Sequence, residues 1–407
     1  TRAMEFFKVH QDLVSRPLPD VRAEVFRQLS SLQLSVPAGD VAITVGSRGI
    51  SSIPIIIKAC GDWLKQQGAR PFIVPAMGSH NGATAAGQQS MVESLGITEA
   101  AMEMPIRSSR EVVRIGDVRT GPGFMDRYCY VAAAVLVVNR IQLHTCFSGP
   151  VQSGLTKMMV VGMGKIRSAQ TFHSAGAVAM KDMLLEMGQF VLDSGRILAG
   201  LGILEDGFDQ TAELHAIRPA EILQRERELL QHHRHYFPSL PVSDLNVLIV
   251  RSIGKTWSGT GMDTNVIGRR GIRDFEDLDR PRIRIIAALE LSPSSQGNAL
   301  GVGNADFITQ RLRDAIDEHK TLINTLTTGD MDRAKIPATL ASDEVLIRTI
   351  AERYGSSRWM LIPNTLHLDE LLVSADLCDE LSALPGCRVE PAAIPLQFHN
   401  GQLLNGH

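Results

Sequence analysis

Three histidines and one lysine, His80, His144, Lys157 and His173, are of the types and in the places where this chain can do chemistry. His80 lies in Met77-Gly78-Ser79-His80-Asn81-Gly82-Ala83-Thr84, directly after the apolar run Pro71 to Pro75, and His144 lies in the stretch Arg140 to Gly149, after the run Leu136 to Asn139. A neutral imidazole takes up or gives back a proton near pH 7, so each is a candidate acid or base; each, taken singly, is equally well a satisfied polar residue. Lys157 stands in Ser153-Gly154-Leu155-Thr156-Lys157-Met158. Its spacing departs from the phosphate-loop pattern, which needs Gly-Lys-Ser/Thr. A lysine among Leu155, Met158 and Met159 either serves as a covalent attachment point or stretches its stem along apolar surface to reach water, and composition does not separate the two. Gly162-Met163-Gly164-Lys165 is a weak phosphate-type signal of the same kind. His173 follows Lys157 by sixteen residues, ahead of Ser174-Ala175-Gly176 at the expected opening of a helix, and imidazole is a good ligand for nickel or zinc. The more conspicuous cluster His232-His233-Arg234-His235 lacks a cysteine or carboxylate at closed ligand spacing and reads as a solvated helix end.

Two further loops offer polar recognition. Arg48, in Gly46-Ser47-Arg48-Gly49, has the planar fork that matches a carboxylate, although a surface arginine in a turn looks the same in sequence. The segment Ser258-Gly259-Thr260-Gly261-Met262-Asp263-Thr264-Asn265 precedes Gly268-Arg269-Arg270-Gly271 and supplies hydroxyls, the Asn265 amide and the guanidinium groups of Arg269 and Arg270. That set suits a hydroxylated acid; the plain alternative is a turn-rich loop.

The elements that must position these residues read as α/β. Val41 to Val45 and Pro71 to Pro75 are expected strands, with a helix over 53–67 between them. Leu136 to Asn139 is another strand, helices are expected over 177–192 and 220–235, and Asn246 to Val250, Ile283 to Leu291 and Trp359 to Ile362 are later strands, with a helix over 307–319. This alternation predicts two α/β domains with mostly parallel sheets and an active-site cleft between them, the loops after the strands carrying the site. The Pro238 and Pro241 region suggests a boundary, giving domains 1–240 and 241–407, the last segment of the chain being a candidate to pack back on the first domain.

Composition bounds the function. The 407 residues are 44% hydrophobic and 21% charged with mean hydropathy +0.02, the balance of a globular enzyme. A net charge of −3 implies no nucleic-acid partner. The longest apolar stretch, Tyr130 to Val138, is too short to span a bilayer and reads as a buried strand. Five cysteines, without a CxxC pair, point to a reducing cytoplasmic setting, and Thr1 to Leu13 lacks the pattern of a secretory leader. Self-association into a homo-oligomer is left open.

Taken together, the segments around Arg48, His80, His144 and Lys157, with Ser258-Gly259-Thr260-Gly261-Met262-Asp263, resemble the nickel-dependent lactate racemase family, in the same order from about residue 40 to 272. The resemblance implies a racemase or epimerase of 2-hydroxy acids carrying a nickel-pincer nucleotide made by separate cofactor-biosynthesis enzymes. It implies that Lys157 tethers the nucleotide, with Ser153, Gly154 and Gly164 as candidate contacts, and that His173 completes the nickel coordination. His80 and His144 are then the paired acid/base residues, and Arg48 the residue that engages substrate, with Asn265, Arg269 and Arg270 as further substrate contacts. Where lactate racemase has a glutamine and a lysine, this chain matches with Gly268 and Gly271, which suggests room for an acid larger than lactate, such as malate, 2-hydroxyglutarate or a sugar acid. Rival readings are a hydrolase or lyase with an ordinary metal, or a non-catalytic nucleotide- or phosphate-binding protein.

Overall fold

The computed structural model describes residues 4–47 and 49–405. The chain forms two compact units, Val14–Phe237 and a second that joins the described residues up to Leu13 with those from Pro238 onward. Both are α/β, and their main sheets are mostly parallel. Among the described residues no helix is long and apolar enough to cross a membrane.

In chain order the strands are β1 (Glu5–Gln11), β2 (Asp40–Val45), β3 (Arg70–Pro75), β4 (Val112–Val118), β5 (Gly121–Asp126), β6 (Ala134–Arg140), β7 (Ile197–Glu205) and β8 (Thr211–Ile217). The first unit is built on the sheet β3-β2-β6-β7-β8, in which only β8 runs antiparallel to its neighbour. Val41–Val45 and Pro71–Pro75 are buried without interruption, as strands covered on both faces must be. One face packs on helix Ile53–Gln66 through Ile56, Ile57, Cys60 and Leu64. The other is covered by Leu155, Met158, Met159 and Met163 together with Leu229 and Leu230. Because β3 lies on one side of β2 and β6 on the other, the strand order reverses between β2 and β6. Ligands bind in open α/β sheets beyond the carboxyl ends of strands at such a reversal. The loops that leave β2, β3 and β6 there carry Ser47, His80 and His144.

The second unit holds an eight-stranded sheet. Its further strands are β9 (Asp244–Ile253), β10 (Arg282–Leu291), β11 (Phe307–Thr309), β12 (Ala338–Leu340), β13 (Trp359–Ile362), β14 (Glu370–Ser374) and β15 (Cys387–Pro395), in the order β12-β11-β10-β9-β13-β14-β1-β15. The N-terminal strand β1 is thus inserted between β14 and β15, antiparallel to both, with Phe6 and Val9 buried.

Two expected elements differ. The single helix over 307–319 is β11 followed by helices Gln310–Ala315 and Glu318–Thr328, because Thr309 and Asp317 each accept a backbone N–H from the turn that follows and so open separate helices. The stretch Tyr130 to Val138 is not one strand. Asp126 accepts the Cys129 N–H at 3.0 Å and starts the short helix Arg127–Val131 before β6 begins.

Candidate active site

The His80 loop is held from below. Gly78 turns it with φ +62, and the Gln88 amide donates to the carbonyls of Gly78 at 3.0 Å and His80 at 3.2 Å. Gln88 in turn meets Lys165 Nζ at 3.5 Å, which also donates to the Pro75 carbonyl at the end of β3. Lys165 is therefore no phosphate ligand: it is 2% exposed and lies 3.3 Å from the fully buried carboxylate of Asp126. Above, Ser47 Oγ and His80 Nδ1 share a hydrogen bond. Arg48 lies outside the described residues.

His144 is fixed as firmly. Its backbone N–H donates to Gln152 Oε1 at 2.7 Å, and its Nδ1 accepts the Cys146 N–H at 2.9 Å. A ring nitrogen that accepts carries no proton, so the proton of a neutral His144 sits on Nε2. Nε2 is 2.9 Å from Lys157 Nζ. In that tautomer the ring can donate to the lone pair of an unprotonated Lys157, the form in which a lysine amine is a nucleophile. Phe147 packs at 4.5 Å between ring centroids from His144 and meets Phe172 edge-on, and Lys157 Nζ lies 5.9 Å from the Phe172 ring centre.

Lys157 ends the short helix Leu155–Lys157, which passes into a π-turn, Met158–Gly162, before helix Lys165–Ser174. Such wide turns cluster at functional sites because they redirect a side chain without ending the helix. The loops converge on this segment. A Cβ at Gly46 would lie 3.4 Å from Met158, and one at Gly78 would lie 3.4 Å from both Val161 and Ala169. Ser153 pairs with Gln142, and the Asn139 amide donates to the Gly154 carbonyl at 3.0 Å. Gly154 and Gly164 have packing reasons to be glycine, since a Cβ would sit 2.0 Å from Glu226 Oε1 in the first case and 1.9 Å from Ser168 Oγ in the second.

His173 closes helix Lys165–Ser174 rather than opening the next one, which starts at Ala177. Burial above all, with the charge Lys157 carries when protonated as the lesser cause, holds its imidazole down at about 4. It is consequently neutral at physiological pH with a lone pair to offer a metal. Among the described residues no three His, Cys, Asp or Glu side chains are grouped to hold an ion. A metal at His173 would need further donors from a bound group, and the residues here fit a tethered, metal-carrying group to the extent of one neutral imidazole and the nearby Lys157 amine.

No protein-family model matches the sequence, and no curated protein matches it. Among solved structures, similarity is found to the lactate racemase apoprotein from Thermoanaerobacterium thermosaccharolyticum, at 13% identity with a TM-score of 0.54, covering 88% of this chain and 93% of that one. The chain has a lactate racemase-like fold. A Thermotoga maritima crystal structure matches with a TM-score of 0.49, also at 13% identity, over 79% of this chain and 84% of the other.

The second unit's candidate residues, Asn265, Arg269 and Arg270, have partners within their own unit. Arg269 donates to the carbonyls of Asn304, Ile283 and Arg284 at 2.9–3.0 Å and pairs with Asp306 at 3.0 Å. Arg270 is 2% exposed, with its guanidinium over the Phe275 ring. Asn265 sits on helix Thr264–Ile267, and Asp263 accepts its N–H at 2.8 Å. Gly268 and Gly271 are needed by the backbone, and Gly271 also lines a cavity of about 290 Å³ with Arg269, Arg273 and Asp332. The φ values of Gly268 and Gly271, +80 and +69, suit glycine, and a Cβ would collide with the Pro281 carbonyl at 2.2 Å or Asn304 Oδ1 at 2.4 Å. The backbone alone therefore accounts for glycine at both positions, whatever the size of the substrate.

The histidine cluster at the end of helix Ile222–His233 is likewise not simply solvated. His232 Nε2 bonds Glu213 at 2.6 Å, whereas His233 is 7% exposed with neither ring nitrogen hydrogen-bonded, and burial holds it near 4. A base whose folded-state value is depressed contributes its full stability above its unfolded value and loses it as pH falls toward the folded one. Between pH 7 and pH 4.5 the stability advantage of His233→Leu over the parent should grow by about 2–3 kcal/mol. Urea unfolding at both pH values measures this, and a difference that does not change with pH would refute it.

Proposed function

We propose that the chain is a racemase or epimerase of 2-hydroxy acids that works with a nickel-pincer nucleotide tethered at Lys157. The supporting observation is the short contact between Lys157 Nζ and His144 Nε2, with His173 kept neutral nearby. When bound, such a nucleotide supplies a metal-centred acceptor for the hydrogen on the substrate's C2. Lys157 would anchor it and His173 would bind its metal.

The chain's own residues handle the proton. Each imidazole is held through Nδ1, His144 by the Cys146 N–H and His80 by Ser47 Oγ, which makes Nε2 the nitrogen each would turn to substrate. At His144 that nitrogen would carry a proton, released from its contact with Lys157 Nζ once the lysine carries the nucleotide. His80 presents a lone pair when Ser47 accepts from Nδ1–H, so the two can serve as acid and base in one turnover. One takes the hydroxyl proton of an enantiomer at Nε2, and the other returns a proton to the hydroxyl of its mirror image. A direct abstraction from C2 is thereby avoided.

The test is expression beside the cofactor-making enzymes, followed by intact-mass spectrometry and chiral assay of lactate, malate, 2-hydroxyglutarate and aldonic acids. A nucleotide-sized adduct that Lys157→Ala abolishes, with interconversion of at least one acid, is expected. An unmodified chain that inverts none of them would end the proposal.

A further inference from the structure

Glu226 belongs to no motif, yet its carboxylate is buried beside the site and fully engaged there. It reaches from helix Ile222–His233 to the start of helix Leu155–Lys157 and is 1% exposed. That short helix has no side-chain cap of its own. Its first backbone donors would be orphaned in an apolar core, which costs a few kcal/mol in a typical case. Glu226 takes them: the Thr156 N–H donates to its oxygens at 3.2 and 3.3 Å, the Thr156 hydroxyl donates to Oε2, and the Leu155 N–H also points at it. Gly154 has no Cβ because Glu226 fills that space, and the Asn139 amide grips the Gly154 carbonyl from another direction.

Lys157 is the next residue after Thr156. With so few rotatable backbone angles between the clamp and the lysine, the clamp sets where the lysine side chain leaves the helix and so which partners its amine can reach. We propose that Glu226 is the positioning residue for Lys157, setting the start of its helix so that Nζ meets His144 Nε2. This rests on the reading of Lys157 as the anchoring lysine. Burial pushes the Glu226 carboxyl up to about 7, with the Thr156 and Leu155 donors pulling against it, so the neutral form is accessible and glutamine is the conservative replacement.

The cofactor-free chain is the right material for the test. Brief treatment with acetic anhydride, followed by peptide mass spectrometry, gives the acylation rate of Lys157 relative to exposed Lys181. Glu226→Leu should lower this ratio on the order of tenfold, the factor expected when one hydrogen bond to a charged group is lost, and Glu226→Gln should restore most of it. An unchanged ratio in Glu226→Leu, or a loss in Glu226→Gln as deep as in Glu226→Leu, overturns the proposal. If Glu226→Leu does not fold by circular dichroism, Thr156→Val probes the same contact; a lowered ratio supports the role and an unchanged one overturns it. Because no nucleotide is involved, failure here leaves the adduct test standing. An absent adduct with the labelling effect intact would remove only the tether.

Discussion

Exchange of His144 for glutamine should slow the interconversion of 2-hydroxy acid enantiomers by about 10²–10⁴-fold, the usual worth of a positioned acid or base. The Cys146 N–H and Lys157 Nζ fix the ring on its two nitrogens, so its whole contribution depends on a group that can cycle a proton there. Glutamine retains an N–H to offer the amine of Lys157 but cannot exchange a proton near pH 7. The adduct on Lys157 should therefore still form. Chiral assay of protein carrying the adduct separates the two effects, and a variant as fast as the parent would show that His144 is no acid or base. His80→Gln should behave alike, since its Nδ1 is held by Ser47 in the corresponding way.

The largest expected loss of stability is at Lys165→Met. Lys165 and Asp126 form a pair in which neither side chain is more than 2% exposed. Burial already raises the Asp126 carboxyl, and the lysine is what pulls it back. Removing one partner of a buried pair strands the other charge and costs about 3–5 kcal/mol. The same change frees the Pro75 carbonyl and the Gln88 amide that supports the His80 loop. Guanidinium unfolding of Lys165→Met measures the loss, and the double variant with Asp126→Asn should recover part of it. A cost below about 1 kcal/mol would mean that the pair does not hold the core together.

Much of the first unit was legible because its parallel strands are uninterrupted apolar runs, and a loop after such a strand is a place for function whatever follows. That logic places His80 and His144 on the loops beyond β3 and β6, where the structure has them. It could not locate Glu226, which stands in the alternating charges of Gln224-Arg225-Glu226-Arg227-Glu228 and looks solvated. A signal was nevertheless there. Ile222, Glu226, Leu229, Leu230 and His233 share one helical face, and all are buried. A carboxylate and an imidazole on an apolar stripe are a prompt to look for their partners. Gly268 and Gly271 have two readings in sequence, free volume or a backbone that needs positive φ, and the turn alone is enough to explain them. The three residues of β11 were lost to the helix pattern because Phe307-Ile308-Thr309 is too short to show a period of its own.

The position of β1 has a consequence for biosynthesis. Its hydrogen-bonding partners, β14 and β15, are made more than three hundred residues later, so on the ribosome this strand waits on the order of tens of seconds with both edges open. During that wait the first unit, which is continuous in sequence, can already be complete. A peptide fused ahead of Glu5 would then reach its neighbours only through a sheet finished at Pro395, and the cost of a poor fusion would fall on the far end of the gene product.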